Sequence, residues 1–250
     1  MIDFVGAGPG AKDLITVRGM ELLKKADLII YTGSLVNPEL IQYASKETEI
    51  YDSSEMDLDK IMSLMIEAHR AGKRVVRLHT GDPALYGAIG EQIRILDENH
   101  IEYGYCPGVS SLFGAASALK KEFTVPGGSQ SLIITRMEGR TEVPESEGIR
   151  SLASHHSSMA VFLSAGLIQK LSKELIDGGY GPDSPAAIVY KATWEDERVI
   201  YTTVKELPEE AEKNGIKRTA IIFAGDFLSD EAFSENVRSK LYDPDFMDTL

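Results

Sequence analysis

Residues 75–91, VVRLHTGDPALYGAIGE, predict a buried strand that ends in a tight loop and is followed by a helix. Val75, Val76 and Leu78 give this strand its apolar character. Gly81 permits a close backbone approach, and Pro83 fixes its own φ, so the chain must turn there. Open α/β folds bind small molecules at such corners, on the carboxyl edge of a parallel sheet. This corner is therefore the first candidate site.

The same alternation of short apolar strands and amphipathic helices continues along the chain. Loops rich in small residues follow three other predicted strands, at residues 6–10, 32–34 and 107–111. Residues 120–129 have the composition of a linker, which predicts two domains, 1–125 and 126–250. The second half repeats the alternation and includes a predicted hairpin with Trp194 near its tip. We expect an α/β fold of two α/β domains.

Composition narrows the class of protein. With 43% apolar and 26% charged residues over 250 positions, the chain is typical of a soluble globular protein. Its net charge of -13 argues against a nucleic acid or an anionic membrane surface as the main partner. One cysteine, Cys106, excludes an internal disulfide and a cysteine-based zinc cluster, and favours the cytoplasm. No apolar run approaches the roughly 20 residues of a membrane span.

The first loop has the letters of a dinucleotide-binding fingerprint. Gly6, Gly8 and Ala11 fall at the permitted spacing after a predicted strand. However, Pro9 offers no N–H to a phosphate, and Asp13 places an acid where a pyrophosphate would lie. Three interpretations stay open: a dinucleotide site, a purely structural turn, and a loop that supports an uncharged or zwitterionic ligand.

Several polar residues also have both a structural and a functional interpretation. Asp82 would cap the helix that follows it, or its loop would direct backbone groups at a ligand. Ser110 and Ser111 follow Pro-Gly at a helix start, where serine is a good N-cap. Arg136 and Arg140 could bind carboxylates or form part of a solvated surface cluster. No catalytic acid, base or metal-binding set is evident.

Six motifs, taken together and in this order, resemble those of the tetrapyrrole methylases: VGAGPGAKDLITVRGMELLKKADLIIY, YTGSLV, RLHTGDPALYGAIGEQ, CPGVSS, ITRMEGRTEVPE and VFLSAGLI. The resemblance covers nearly the whole chain, including SKLYDPDF near its end. It implies two α/β domains with S-adenosylmethionine and the substrate bound between them, a homodimer, and no protein-bound metal. The implied activity is methylation of C11 of precorrin-4, with or without cobalt, in cobalamin synthesis.

The resemblance also assigns residues to the cofactor. The matching positions are Pro9, Thr80, Gly81, Asp82, Leu85, Ser110, Ser111, Ala192, Thr219 and Ala220, together with Leu163 or Ala165. The last pair stays open because FLSAGL is one residue longer than the related pattern. Basic candidates for the substrate carboxylates are Arg18, Arg77, Arg136 and Arg140. Related methylases carry an acid where this chain has Thr32, so no acid-base role is transferred to Thr32.

Other functions remain as alternatives to this assignment. A methylase of the same fold could act on another precorrin or on a diphthamide precursor. A nicotinamide-binding oxidoreductase would use the fingerprint at residues 6–11 instead. A non-catalytic protein would bind a tetrapyrrole without transferring a methyl group.

Overall fold

The computed structural model describes residues 1–139, 141–230 and 239. The chain divides into two compact units. The first contains Met1–Gly114 and Ala192–Glu195, and the second contains Ala115–Lys191 and the described part of Asp196–Leu250. A boundary at residue 125 stays a prediction. The SKLYDPDF segment falls largely outside the described residues.

The first unit is built on a five-stranded parallel sheet with the strand order β3-β2-β4-β1-β5. The central strand β4 is buried along its whole length, as expected for a strand covered on both faces. The strands are β1 (Ile2–Gly6), β2 (Leu28–Tyr31), β3 (Glu49–Asp52), β4 (Val75–His79) and β5 (Tyr103–Cys106).

Helices cover both faces of this sheet. They are α1 (Val17–Lys25), α2 (Leu58–Arg70) and α3 (Ile89–Glu98), and α4 (Ser111–Leu119) follows β5. On one face Leu23 of α1 packs in a cluster with strand residues such as Leu78, and on the other Leu96 of α3 packs with Phe4. Each of these large side chains is fully buried, which contributes about 1.5–3 kcal/mol per residue to folding.

Local capping explains where two of these helices begin. The Thr16 hydroxyl accepts a hydrogen bond from the backbone N–H of Gly19 at the start of α1. The Asp57 carboxylate accepts one from Lys60 at the start of α2. The helix predicted directly after Pro83 begins later, at Ile89. Residues 83–86 form turns instead.

The second unit contains a mixed five-stranded sheet with the order β6-β7-β10-β8-β9. Only β6 and β7 are parallel, and the other neighbours are antiparallel. The β8–β9 pair confirms the predicted hairpin. The strands are β6 (Leu132–Arg136), β7 (Ser158–Phe162), β8 (Pro185–Tyr190), β9 (Arg198–Thr203) and β10 (Ala220–Ala224).

Three helices, α5 (Ile149–Ala153), α6 (Ile168–Asp177) and α7 (Leu207–Lys213), supply apolar residues to one core with this sheet. Side chains alternate along a strand, so Ile222 faces this core while its neighbour Phe223 stacks on Phe123 elsewhere. Both units are thus α/β structures, as the sequence predicts. Within residues 1–139 and 141–230, no helix has the length and apolar character needed to cross a bilayer.

Candidate active site

Three neighbouring strands, β1, β4 and β5, end at the same edge of the first sheet, and a glycine follows or ends each of them. The loops after β1 and β4 join directly: Gly81 N–H donates to the Gly8 carbonyl over 2.8 Å, and Gly8 N–H donates to the Gly81 carbonyl over 3.2 Å. Gly8 and Gly81 have φ values of 82° and 60°, in the left-handed region that favours glycine. The two loops therefore form one continuous backbone surface.

The loop after β5 closes against the same surface. A Cβ added to Gly6 would lie 2.5 Å from the Gly108 nitrogen, and a Cβ added to Gly108 would overlap the Gly81 carbonyl oxygen. Both positions therefore require glycine. We call Gly6, Gly81 and Gly108 the glycine floor. Sequence reasoning did not single out Gly6 or Gly108 for this packing, although a glycine at the end of each of three parallel strands was the available signal.

Asp82 ties these loops together through its carboxylate. Oδ2 accepts a hydrogen bond from Gly108 N–H at 2.8 Å, and Oδ1 accepts from Ala84 N–H and from the Tyr105 hydroxyl, each at 2.8 Å. The proposed cap of the following helix is wrong, because α3 begins at Ile89 with Ala88 at its N-cap. Asp82 instead caps a turn and connects the ends of β4 and β5.

Tyr105 supplies one of these bonds from β5. Partial burial, together with its hydrogen bond to Asp82, raises the pKa of the Tyr105 hydroxyl to about 12. Tyr105 is therefore protonated at physiological pH and donates to the carboxylate. Sequence reasoning did not single out this residue.

The remaining first-unit candidates surround the glycine floor. Ser110 Oγ accepts a hydrogen bond from Leu112 N–H at 3.2 Å and so caps the start of α4, as its structural interpretation predicts. The Ser111 backbone nitrogen would lie 3.3 Å from a Cβ on Gly81, so the start of α4 borders the floor. Thr80 and Leu85 are half-buried on either side of Gly81 and Asp82. These residues are brought together at one edge of the sheet.

The loop at residues 8–11 does not lead directly into an α-helix. A short 3-10 helix, Lys12–Leu14, intervenes, and α1 begins only at Val17. The Ala11 N–H, which a dinucleotide fingerprint would leave for a phosphate, donates to Thr193 Oγ1 at 3.0 Å. This geometry argues against the nicotinamide dinucleotide alternative. Ala192, in the same segment as Thr193, is buried.

The second unit has its own set of candidates at one edge of its sheet. Leu163 directly follows β7, and Thr219 directly precedes β10, with φ values of 53° and 58°. Continuing the β7–β10 register, in which Ile222 pairs with Val161, places Ala220 beside Leu163. Left-handed backbone at non-glycine residues costs about 1–3 kcal/mol each and concentrates at functional sites. Leu163 is 70% exposed, whereas Ala165 is 5% exposed and belongs to the apolar core.

Arg18 and Arg77, two of the four basic candidates, differ in how accessible they are to a substrate carboxylate. Arg18 is exposed on the first turn of α1. Arg77 is 3% exposed, and its guanidinium donates to Gln92 and to the Ile30 carbonyl, so it is committed to the interior and is a poor candidate for a substrate carboxylate. Burial lowers the Arg77 pKa to about 10.

Arg136 and Arg140 complete the basic set. The Arg136 guanidinium donates to the carbonyls of Met137, Thr141 and Glu142 and so orders the loop after β6. Arg140 lies outside the described residues.

Two polar residues near this edge of the sheet, Thr32 and His79, differ in their hydrogen bonding. The Thr32 hydroxyl donates to the Leu78 carbonyl at 3.0 Å. His79 is 3% exposed, and its Nε2 has no hydrogen-bond partner among the described residues. Within the described ranges, no three His, Cys, Asp or Glu side chains are grouped as metal ligands would be.

Comparison with known proteins agrees with this architecture. The family model described as Tetrapyrrole (Corrin/Porphyrin) Methylases matches residues 1–208. A curated relative from Methanocaldococcus jannaschii, cobalt-precorrin-4 C(11)-methyltransferase, is 50% identical over 242 residues, which are 97% of this chain and 92% of the relative.

Solved structures give the same result. The X-ray structure of a cobalt precorrin-4 methyltransferase from cobalamin biosynthesis matches with a TM-score of 0.89 and 45% identity, covering 91% of this chain and 95% of the other. Uroporphyrin-III C-methyltransferase from Thermus thermophilus, complexed with S-adenosylhomocysteine, matches with a TM-score of 0.76 and 25% identity, covering 91% and 98%. The chain belongs to the tetrapyrrole (corrin/porphyrin) methylases.

Proposed function

We propose that this chain is an S-adenosylmethionine-dependent methyltransferase that methylates C11 of precorrin-4, in its cobalt-bearing or metal-free form, during cobalamin biosynthesis. The observation that carries the proposal is the 50% identity to a cobalt-precorrin-4 C(11)-methyltransferase over 97% of this chain. We further propose that the enzyme is a cytoplasmic homodimer. A domain boundary near residue 125 belongs to the same proposal.

The glycine floor supports a site for S-adenosylmethionine. Its surface is backbone, in which the Gly8 and Gly81 amides are paired with each other's carbonyls and the Gly108 amide with Asp82, so the floor is a fixed surface without a cationic side chain. No lysine or arginine is found among residues 6–11, 80–85 or 107–111. A phosphate-bearing cofactor would lack a cation in these loops, whereas a cofactor with a sulfonium and an amino-acid group needs none there.

Cofactor contacts in the first unit are proposed for residues of the segments that follow β1, β4 and β5 and for Ala192. These are Pro9, Thr80, Gly81, Asp82, Leu85, Ser110, Ser111 and Ala192. In the second unit we propose Leu163, Thr219 and Ala220, and we prefer Leu163 to Ala165 because the Leu163 side chain is exposed and that of Ala165 is in the core.

The proposed methyl transfer needs no covalent nucleophile from the protein. S-adenosylmethionine supplies a methyl group on a positively charged sulfur. The chain's task is to hold two bound molecules in line, which can contribute about 7–11 kcal/mol to lowering the barrier. A floor fixed by paired loops suits this task, since little reorganisation is needed after binding. Cofactor binding that is equally strong in the ground and transition states would not by itself accelerate transfer.

Substrate carboxylates require cations at the rim of the site. We propose Arg18, which is exposed at the start of α1, together with Arg140 and with Arg136, which donates to the carbonyls of Thr141 and Glu142. Guanidinium groups bind carboxylates through paired hydrogen bonds, so arginine suits this role.

Mass spectrometry after incubation with S-adenosylmethionine tests the function. Precorrin-4 and cobalt-precorrin-4 are supplied in separate reactions, and a gain of one methyl mass on either supports the proposal. The position of the new methyl group is then assigned by NMR with isotopically labelled cofactor. Binding of tetrapyrrole without methyl transfer would indicate a non-catalytic protein, and methylation of a different precorrin would indicate another member of the family.

A further inference from the structure

Residues 192–195, which we call the Trp194 segment, belong by their contacts to the first unit although the chain on either side belongs to the second. Two hydrogen bonds join this segment to the loop after β1. Thr193 Oγ1 accepts from Ala11 N–H at 3.0 Å, and Trp194 Nε1–H donates to the Pro9 carbonyl at 3.1 Å. The side chains of Thr193 and Trp194 thus form hydrogen bonds with two backbone groups of the loop after β1.

Packing makes the same connection. A Cβ added to Gly10 would overlap the indole ring of Trp194, so the ring lies directly against the Gly10 backbone. A Cβ added to Gly114 would lie 2.7 Å from the Pro9 side chain and 3.3 Å from the Thr193 methyl group. Pro9 is therefore enclosed between the start of α4 and the Trp194 segment.

The backbone of the segment is strained. Thr193 has a φ of 68°, a left-handed conformation that is rare for a β-branched residue. Such a conformation persists only where surrounding contacts determine it, and it is found mainly where position matters for function. A hairpin tip whose exact position did not matter could adopt a relaxed turn with glycine or asparagine.

We infer that Thr193 and Trp194 are positioning residues that hold the 8–11 loop in the shape that binds S-adenosylmethionine. The inference rests on the proposed function, because it takes this loop as part of the cofactor site. It assigns to the two residues an action through the loop and no contact with the tetrapyrrole. Because Trp194 is the only tryptophan in the chain, its fluorescence reports on this loop directly.

Three variants test the hydrogen bonds. Trp194→Phe keeps a ring against Gly10 and removes the donor, Thr193→Val keeps the shape and removes the acceptor, and Thr193→Ser restores the hydroxyl. We expect Trp194→Phe and Thr193→Val each to raise the KM for S-adenosylmethionine about fivefold, the effect of one lost hydrogen bond. The KM for the tetrapyrrole should stay within about twofold, and Thr193→Ser should return the cofactor KM toward wild type.

Thr203→Val provides a matched control. It removes a hydroxyl from the other end of the same hairpin, where Thr203 donates to Glu206 at 3.0 Å. We expect its cofactor KM to equal that of wild type. Melting curves of all variants separate a loss of fold from a loss of loop geometry.

The fluorescence of the wild-type protein gives a second readout. Titration with S-adenosylhomocysteine should change the Trp194 emission, with a midpoint that matches the dissociation constant from calorimetry. Wild-type cofactor KM values in both Trp194→Phe and Thr193→Val, or an equal rise in the KM of both substrates, would overturn the inference while leaving the proposed function intact. If wild type shows no S-adenosylhomocysteine binding by calorimetry, the proposed cofactor fails, and the inference with it.

Discussion

His79 makes a specific prediction about acid sensitivity. It ends β4, directly before the corner at residues 80–82, and its ring lies 6.2 Å from that of Phe4. Burial, with a smaller contribution from the nearby charge of Arg77, lowers the pKa of His79 to about 3. The side chain is therefore neutral in the folded protein throughout the physiological range.

The size of the effect follows from the two pKa values. The unfolded chain has a histidine pKa of about 6.5, so below that value it binds a proton that the folded protein does not bind. A lowered pKa contributes stability that is complete above about pH 6.5 and is lost as the pH falls toward 3. At about pH 5 the loss amounts to about 2 kcal/mol relative to pH 8, and a complete titration would cost about 5 kcal/mol.

His79→Leu removes the titration and also the unpartnered Nε2. We expect stability equal to or higher than that of wild type at about pH 8, because the variant lacks the unpartnered buried Nε2. Between about pH 8 and pH 5, the free energy of unfolding should fall by roughly 2 kcal/mol less in the variant than in wild type. Urea unfolding followed by Trp194 fluorescence measures this, since Trp194 belongs to the first unit, as His79 does, and its indole donates to the Pro9 carbonyl. The other histidines, such as His69, are present in both proteins, so their effect cancels in the comparison. Parallel losses in wild type and variant between the two pH values would refute the reasoning.

Four further substitutions probe the site. Gly108→Ala places a Cβ against the Gly81 carbonyl, so we expect a melting experiment to show a loss of about 1–3 kcal/mol in stability. Binding of S-adenosylhomocysteine should also be weak. Unchanged affinity in this variant would contradict the proposal that the glycine floor forms the cofactor site. Asp82→Ala should lower the free energy of unfolding by about 1.5–3 kcal/mol and weaken S-adenosylhomocysteine binding more than tenfold by calorimetry. Tyr105→Phe removes only one hydrogen bond, at a partly exposed site, so it should change both quantities much less. Equal affinities in the two variants would contradict this order. Leu163→Gly removes the cost of a left-handed backbone conformation at leucine, so we expect it to raise stability by about 0.5–1 kcal/mol. It should also raise the cofactor KM. Lower stability would show that the Leu163 side chain packs favourably.

The sequence predicted the strands and most helices because their signals are local. Apolar runs such as Leu28–Tyr31 and helical repeats such as Leu58–Arg70 identify elements without knowledge of what they pack against. The start of α3 could not be predicted in this way. Pro83 correctly indicated a turn, but the left-handed conformations of Tyr86 and Ala88 delay the helix to Ile89. No local signal at these two residues, neither of which is glycine, indicates such a conformation.

The candidate site shows the same division. Its location after β4 was predicted, because strand ends in a parallel sheet share one edge. The partners of Asp82 were not, since Gly108 and Tyr105 lie more than twenty residues away in sequence. The same holds for Arg77, whose charge suggested a ligand while its guanidinium bonds to Gln92 and Ile30 inside the unit. Burial of a long polar side chain depends on neighbours from other elements, which periodicity does not reveal.

On the proposed function, cofactor binding and substrate choice depend on different parts of this chain. The glycine floor is made of backbone, and its requirements are met by small residues at a few positions such as Gly6 and Gly108. A relative at 25% identity retains the fold and is complexed with S-adenosylhomocysteine, although most of its side chains differ. Geometry of the backbone is therefore the property that such distant members can share. Selection among tetrapyrroles must then depend on side chains away from the floor, and the loop ordered by Arg136 is the first place in this chain to look for it.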